Sequence, residues 1–348
     1  MYDEPPSQLA SAPAFKRIGA GDQHNCMLDA QGQPWCWGMN DAGQLASSSH
    51  APCGDDDTKA CSSTFLPVTG VPKLTALDGG RFTSCGLATD GRAWCWGGQS
   101  DLTPQPLPAP VGAADDSFVQ IDVSTFGGDA CGVKADGSAW CWSESTPGTL
   151  HREVPGVKVK QIAVGQLHSC ALDTADQAWC WLTVSYVVLG SMFSGSSDAP
   201  AAVAGGRRYQ WIGVGSDYAC ALDFDGQAWC WGAGAVLGSG GSPVASAVPV
   251  QVAGPHFTRL GTGTQHACGL AADGSAWCWG VNLGGAIGDG TRIDRTAPAR
   301  SGGGMTFREL GPGGATTCGI ATDGSAWCWG WNQFGAVGRP AVGHWTSP

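Results

Sequence analysis

The sequence predicts an all-β fold, a seven-bladed β-propeller with four antiparallel strands per blade whose ring is closed by the N-terminal segment. Three observations lead there. Cysteines recur in pairs ten positions apart: Cys26 and Cys36, Cys85 and Cys95, Cys131 and Cys141, Cys170 and Cys180, Cys220 and Cys230, Cys268 and Cys278, Cys318 and Cys328. Successive pairs begin 59, 46, 39, 50, 48 and 50 residues apart, a period at which repeats build solenoids or propeller blades. Each pair also frames one phrase, such as Cys85-Gly86-Leu87-Ala88-Thr89-Asp90-Gly91-Arg92-Ala93-Trp94-Cys95-Trp96-Gly97, that is polar on neither face as a strand pair. Such a ribbon must be covered on both sides, and stacking around an axis does that.

The phrase reads as a β-hairpin. Six positions after the first cysteine stands Gly32, Gly91, Gly137, Gly226, Gly274 or Gly324, with Asp176 as the single exception. A three-residue loop made of a type I turn and a bulge needs a left-handed residue there, which Gly supplies readily and Asp less so. The loop centres the hairpin so that its two cysteines stand opposite each other, at a separation a disulfide tolerates. Zinc is the rival reading. A C-x9-C pair lacks the close ligand spacing of zinc sites, however, and only three repeats place a His nearby. All sixteen cysteines are therefore expected in bridges, seven within the hairpins and the eighth joining Cys53 to Cys61 across an acidic, solvated loop.

The same centring assigns the faces. Leu28, Leu87 and their counterparts share the disulfide face with small residues such as Ala93 and Ala326. The opposite face carries both tryptophans of each phrase, for example Trp94 and Trp96. The first stands opposite a small residue in six repeats, Gly86 and Gly319 among them, which is expected to leave room for the indole. The Trp face of one blade is expected to pack on the disulfide face of its neighbour. An incoming segment ending in Gly (Phe15 to Gly21) and a Pro-containing outgoing one (Val248 to Val252) complete a four-stranded blade. The seventh repeat lacks an outgoing strand and the chain starts with a spare piece, so residues 5–10 are expected to complete the last blade. One domain then spans 1–348.

Composition narrows function. With 18 basic against 29 acidic side chains and a net charge of -11, the chain repels phosphate backbones and anionic lipid, so neither nucleic acid nor membrane insertion is expected. The 55 Gly and 21 Pro indicate many turns, and the 17 Trp indicate a folded chain rather than a disordered one. The first residues lack the basic and apolar regions of a signal peptide, so any export signal is expected to have been removed already. Sixteen cysteines indicate an oxidising setting, secreted or extracellular, with the periplasm or cell surface as variants.

The stretch from Gly21 to Leu45, with its His24, Cys26, Leu28, Gly32, Trp35-Cys36-Trp37-Gly38, Asn40 and Gly43-Gln44-Leu45, resembles the repeat of the regulator of chromosome condensation family. Gly280-Val281-Asn282 and Gly330-Trp331-Asn332 carry the same signature, and the resemblance runs across nearly the whole chain. It implies a seven-bladed propeller. Members include an exchange factor for a small GTPase, modules of large ubiquitin ligases, and secreted bacterial propellers, one of which inhibits β-lactamases. The acidic charge and the cysteine pair in every blade depart from the nuclear exchange factor and direct the resemblance to the secreted binders.

Chemistry is sparse. The position two residues before each first cysteine holds His24, Thr83, Asp129, His168, Tyr218, His266 and Thr316. If these side chains ring the axis, then His24, His168, Tyr218 and His266 form an axial polar ring, in which histidines would suit a metal or acid–base work. A structural role is the competing reading, and no cofactor is expected. Recognition is expected from aromatics outside the phrase: Tyr186 and Phe193 in the apolar loop Thr183 to Gly195, with Trp331 and Phe334. The function read from the sequence is a non-catalytic secreted scaffold that binds an extracellular protein or peptide through one face of the ring. The alternatives are a glycan-binding lectin and an enzyme with a metal in the axial channel.

Overall fold

The computed structural model describes residues 6–9, 13–47, 52–53, 56–98, 107–125, 129–143, 149–150, 152–153, 156–182, 200–233, 235–241 and 245–339; for 52–53, 56–58, 152–153, 182, 233 and 235 it describes the backbone alone. Seven antiparallel sheets form a seven-bladed β-propeller. In each blade the chain runs from the axis outward. In blade 1 the inner strand is Phe15–Ala20, followed by His24–Asp29, Pro34–Met39 and the outer strand Asp56–Pro67. The inner strands of blades 2 to 7 are Leu74–Gly79, Gln120–Val123, Val159–Val164, Tyr209–Val214, Phe257–Thr262 and Phe307–Pro312. Ser7–Gln8 pairs with Cys328 and Trp327, so the N-terminal segment is the outer strand of blade 7 and closes the ring. Closure removes the free sheet edges between first and last blade.

The hairpins have the expected register. Cys26 faces Cys36 and Met27 faces Trp35, and the same alignment recurs in every blade through Cys318 and Cys328. All seven opposed pairs are disulfide-bonded. The bridges are Cys26–Cys36, Cys85–Cys95, Cys131–Cys141 and Cys170–Cys180 in blades 1 to 4, then Cys220–Cys230, Cys268–Cys278 and Cys318–Cys328 in blades 5 to 7. Their Cα atoms are 4.0 to 4.1 Å apart, and among the described residues no cysteine is free. Gly91 has φ +85° and Gly324 φ +89°, while Asp176, the one substitute, takes φ +69°. Cys61 is also disulfide-bonded; the side chain of its expected partner Cys53 lies outside the described residues. The acidic loop before Cys61 differs from the expectation. Asp56–Pro67 is one twelve-residue strand, and Pro52–Cys53 pairs with its start as a fifth strand, because the outer edge of blade 1 is open to further pairing.

Each Trp face packs on the disulfide face of the blade before it. Trp96 lies with Cys26, Leu28 and Cys36, Trp181 with Cys131 and Cys141, and Trp231 with Cys170 and Cys180. Trp279 lies with Cys220 and Cys230, and Trp37 with Cys318 and Cys328 across the closing seam. Only the second tryptophan of each phrase is buried there, Trp37 and Trp279 being 0% exposed and Trp181, the least enclosed, 6%. The first tryptophans are half-buried, and all but Trp94 bond to their own turn: Trp35 donates to Asp29 Oδ2 at 3.0 Å and Trp327 to Ser325 Oγ at 2.8 Å. The small residue opposite them does not make room for the indole, as the sequence led us to expect. A Cβ on Gly132 would lie 2.4 Å from Phe118 Cδ1, and one on Gly319 2.6 Å from Phe307 Cδ1, so the space belongs to the apolar residue that opens the inner segment of the blade.

The indole N–H of the second Trp ties neighbouring blades together. Trp96 donates to Gln44 O at 3.0 Å, Trp279 to Val236 O at 2.9 Å, Trp329 to Ala286 O at 3.0 Å and Trp37 to Ala336 O at 2.7 Å. In three of these the acceptor loop is held by the Asn of the Gly-x-Asn signature. Asn40, Asn282 and Asn332 accept the backbone N–H of Leu45, Ile287 and Val337, which fixes the carbonyl one residue earlier. Trp329→Phe removes both buried volume and this donor and is expected to cost about 2–3 kcal/mol. Trp327→Phe, at a half-buried site, is expected to cost under about 1 kcal/mol. Denaturant midpoints of the oxidised protein check the difference.

Candidate functional site

The ring offers three places where chemistry could occur: the axis, a face formed by the hairpin turns, and an opposite face formed by the connections between inner and second strands and between third and outer strands. We call these the turn face and the loop face. The axis is lined by inner strands from all seven blades, including Ile18, Leu77, Ile121, Gln161, Ile212, Thr262 and Leu310, around a cavity of about 270 Å³.

The expected axial ring of His24, His168, Tyr218 and His266 is not there. These residues begin second strands, so their side chains enter the interfaces between blades and not the lumen. His24 Nε2 meets Ser84 Oγ of blade 2 at 2.8 Å, and His266 Nε2 meets Thr317 Oγ1 of blade 7 at 2.8 Å. The Tyr218 hydroxyl, with one proton to donate, lies 2.7 Å from His266 O and 2.9 Å from Gly263 O. His168 is likewise fully buried. The preceding glycines are required by contact: a Cβ on Gly21 would lie 2.5 Å from His24 Cε1, and one on Gly215 2.0 Å from Tyr218 Cε1. Burial depresses the His24 pKa to about 3 and those of His168 and His266 to about 4, so all three are neutral spacers between blades at ordinary pH. Among the described residues no group of three or more metal-binding side chains occurs.

What the axis does hold was not read from the sequence. Asp78 and Asp122 occupy the same inner-strand position in blades 2 and 3, where blades 1, 5, 6 and 7 have Gly19, Gly213, Gly261 and Gly311 and blade 4 has Ala163. Both carboxylates face the lumen. Each also reaches the following blade: Asp78 Oδ2 accepts Val123 N–H at 2.7 Å and Asp122 Oδ2 accepts Val164 N–H at 2.6 Å. Burial pushes the Asp78 pKa up to about 7. Burial and, after it, the neighbouring Asp78 charge push Asp122 well above the carboxylate range. Two carboxyls so placed hold a proton near neutral pH. The signal available in the sequence was the Gly-to-Asp change at one inner-strand position in two adjacent repeats.

Two of the expected partner-binding residues, Tyr186 and Phe193, lie outside the described residues. Phe334 is 8% exposed and packs on Met39 and Cys61 of blade 1; ring closure folds its loop over that blade, which removes it from the surface expected to bind. Trp331 is half-buried on the loop face, seated on Gly284, where a Cβ would lie 2.7 Å from Trp331 Cβ. Beside it stand two side chains the sequence reading missed, Leu283 and Ile293, 54% and 64% exposed. They flank Asn282, which donates to Ile293 O at 3.2 Å and to Thr291 O at 2.9 Å and whose N–H is accepted by Asp294 Oδ1. Their loop is therefore held in shape.

These features define a propeller built of disulfide-stapled repeats around a narrow acidic lumen, with an apolar cluster on one face. The model of the Regulator of chromosome condensation (RCC1) repeat matches residues 15–44, the inner strand, hairpin and Gly-x-Asn loop of blade 1. The chain is a propeller of RCC1-like repeats. Among solved structures, human WBSCR16 is similar with 17% identity over 93% of this chain and 88% of that one, at a TM-score of 0.75. Yeast RCC1 (Prp20), solved with Kap60 bound to it, is similar with 20% identity over 92% and 82%, at a TM-score of 0.74. The ectodomain of the Arabidopsis thaliana receptor kinase ACR4 is 19% identical over 92% of this chain and 96% of that one, at a TM-score of 0.58. Among curated protein sequences none matches.

The buried titratable groups give a pH signature. The histidines stay neutral in the fold but take up protons near 6.5 when unfolded, so their contribution to stability is lost as pH falls from about 7 toward 4. The raised carboxyls act oppositely: their burial penalty is absent near pH 4 and grows as pH rises through 7. Asp78→Asn removes that penalty while keeping one oxygen for Val123. It is expected to stabilise the protein at pH 8 by about 1–2 kcal/mol more than at pH 5. Thermal unfolding across pH 4–8 checks this, and the Asp78→Asn/Asp122→Asn pair is expected to steepen the acid loss.

Proposed function

We propose that the protein is a non-catalytic binding scaffold that recognises a protein or peptide partner through the loop face of its ring, in an oxidising extracellular setting. The observation that carries this reading is the exposure of Leu283 and Ile293 on the loop that seats Trp331. Leu283 and Ile293 are large apolar side chains left in water on this face, and exposed apolar side chains gathered on one face mark contact surfaces. Here the loop under them is held by Asn282, so an incoming partner meets a preformed surface and little ordering entropy is lost. Relatives in fold support a binding role: yeast RCC1 (Prp20) is seen bound to Kap60, and its binding to Gsp1p and histones has been characterised. A disulfide in every blade supports an oxidising compartment, and the ectodomain of ACR4 is a relative in fold. No helix among the described residues is long and apolar enough to cross a membrane.

The test is capture of partners from the native extracellular medium by the oxidised full-length chain. Leu283→Asp combined with Ile293→Asp, and separately Trp331→Ala, are expected to lower capture of any specific partner at least ~10-fold, as loss of anchor residues does. Phe224→Asp, a 60% exposed position in a hairpin turn on the other face, is expected to leave it unchanged. Equal capture by all variants would remove the loop face from the proposal.

A further inference from the structure

Two positions before the residue equivalent to Asp78, the inner strands carry side chains at the turn-face mouth of the axis, and the occupants divide the ring in two. In blades 3 and 4 they are glutamines that close on the next strand. Gln120 donates to Ile162 O and accepts Ile162 N–H, both at 2.9 Å, and Gln161 does the same with Ile212 at 2.8 and 3.3 Å. Both ends of these amides are used, and that side of the mouth is sealed. In blades 5, 6, 7 and 1 the same position holds Trp211, Arg259, Glu309 and Arg17. There only Glu309 reaches the following inner strand, and through its acceptor alone, and a cavity of about 510 Å³ opens on the turn face, within the size range of small-ligand sites.

The walls of this cavity are of two kinds. Trp211, Leu260 and Leu310 make an apolar side, while Arg17, Arg259 and Glu309 supply charge. The lone carboxylate is already engaged. Glu309 Oε1 accepts Ile18 N–H at 2.8 Å, and its Oε2 pairs with Arg17 at 3.3 Å. Arg259 makes no hydrogen bond or ion pair among the described residues, although it lies close enough to Glu309 to favour its ionised form. A guanidinium has five donors in a planar fork that matches a carboxylate. The site thus carries an excess of positive charge on a chain whose net charge is -11, with the uncommitted cation beside an indole and two leucines.

We propose that this mouth is a binding site, separate from the loop-face cluster, for a carboxylate carried on an apolar group. The carboxylate pairs with Arg259, and the apolar group lies against Trp211, Leu260 and Leu310. Either a peptide C-terminus with an apolar last residue or a free small carboxylic acid has that chemistry.

The experiment uses the oxidised full-length chain and isothermal titration with three probes: acetyl-Leu-Phe with a free carboxylate, acetyl-Leu-Phe amide, and 3-phenylpropionate. The free-acid peptide is expected to bind at least ~10-fold more tightly than the amide, the size of a charge-assisted pair. Arg259→Gln is expected to bring the acid down to the affinity of the amide, leaving both the amide and the thermal midpoint unchanged. Raising NaCl from about 0.05 to about 0.5 M is expected to weaken the acid alone. Binding of 3-phenylpropionate as tight as that of the peptide acid assigns the site to small acids, and weaker binding assigns it to peptide termini. Equal affinity for acid and amide, an Arg259→Gln variant that binds the acid as well as the parent does, or no binding of either acid at millimolar concentration would each overturn the proposal.

Discussion

Blade-to-blade cohesion in this ring depends on one contact made seven times, a buried indole laid over the disulfide face of the preceding blade. A hairpin with a disulfide at its centre presents a flat surface of sulfur, leucine and alanine, which cannot interdigitate deeply. A large planar side chain covers it well, and sulfur against an aromatic ring adds to the contact. The covalent rung limits how far the two middle strands can shear, so the indole always meets the same surface. The N–H of that indole is the weak point, because a buried donor left unpaired costs about 1–3 kcal/mol. Four interfaces meet the need with a loop carbonyl from the preceding blade. Trp231 is 1% exposed and its N–H has no partner among the described residues, which makes the interface between blades 4 and 5 unlike those flanking the closing seam.

The hairpins, the disulfide register and the ring closure were legible in the sequence because each rests on local spacing. Ten residues between cysteines and a left-handed residue six positions on leave one way to pair the strands. That holds for Cys26 and Cys36 or Cys131 and Cys141, in the blades whose repeats depart most from the others in length, 59 and 39 residues, as well as for Cys268 and Cys278 in a regular one. Parity could not distinguish Trp35 from Trp37, since residues two apart lie on one face. Which of them is enclosed depends on how closely the preceding blade approaches along the strand, a tertiary fact. The same limit explains His24, His168, Tyr218 and His266. Equivalence by repeat placed them correctly in a ring, but only the three-dimensional order of strands shows that the axis is lined by inner strands and that second strands turn their side chains into the interfaces. Phe334 was misread because its burial is supplied by blade 1, nearly the whole chain away in sequence. Asp78 and Asp122 were overlooked because attention fell on the cysteine phrase, although a charged residue at a position that is Gly or Ala in the other five repeats was visible.

Neutral histidines and protonated carboxyls solve the same problem in different parts of the ring. Close packing of blades leaves little room for hydrated charge, so these groups enter the interior uncharged, and His24, Tyr218, His266, Asp78 and Asp122 are each hydrogen-bonded to the neighbouring blade. On the loop face the backbone takes over this role. Asp22 N–H bonds to Gly80 O, Ser216 N–H to Thr264 O, Thr264 N–H to Gly313 O and Gly314 N–H to Gly21 O, a partial collar of main-chain bonds that runs from blade 5 through the closing seam to blade 2. Such a collar demands glycines at its closest approaches and explains why the connection into the second strand is three residues long in every blade but the third.

Uniform interfaces leave variation to the surfaces, and there the two faces diverge chemically. Lys16, Arg17, Lys160, Arg259 and Arg308 lie in the first half of inner strands and Arg207 just before one, so the turn face gathers cations on a chain that is acidic as a whole. Most of these cations are committed: Lys160 pairs with Asp176 and Arg207 with Asp223, while Arg308 donates to Phe15 O. The loop face instead presents long connections between third and outer strands, whose length is unconstrained by the axis and whose side chains can be apolar without disturbing blade packing. A rigid ring therefore separates the two proposed binding sites by the height of the sheet. The geometry of either site can change without altering the other, because every strand between them is fixed by indole, disulfide and collar.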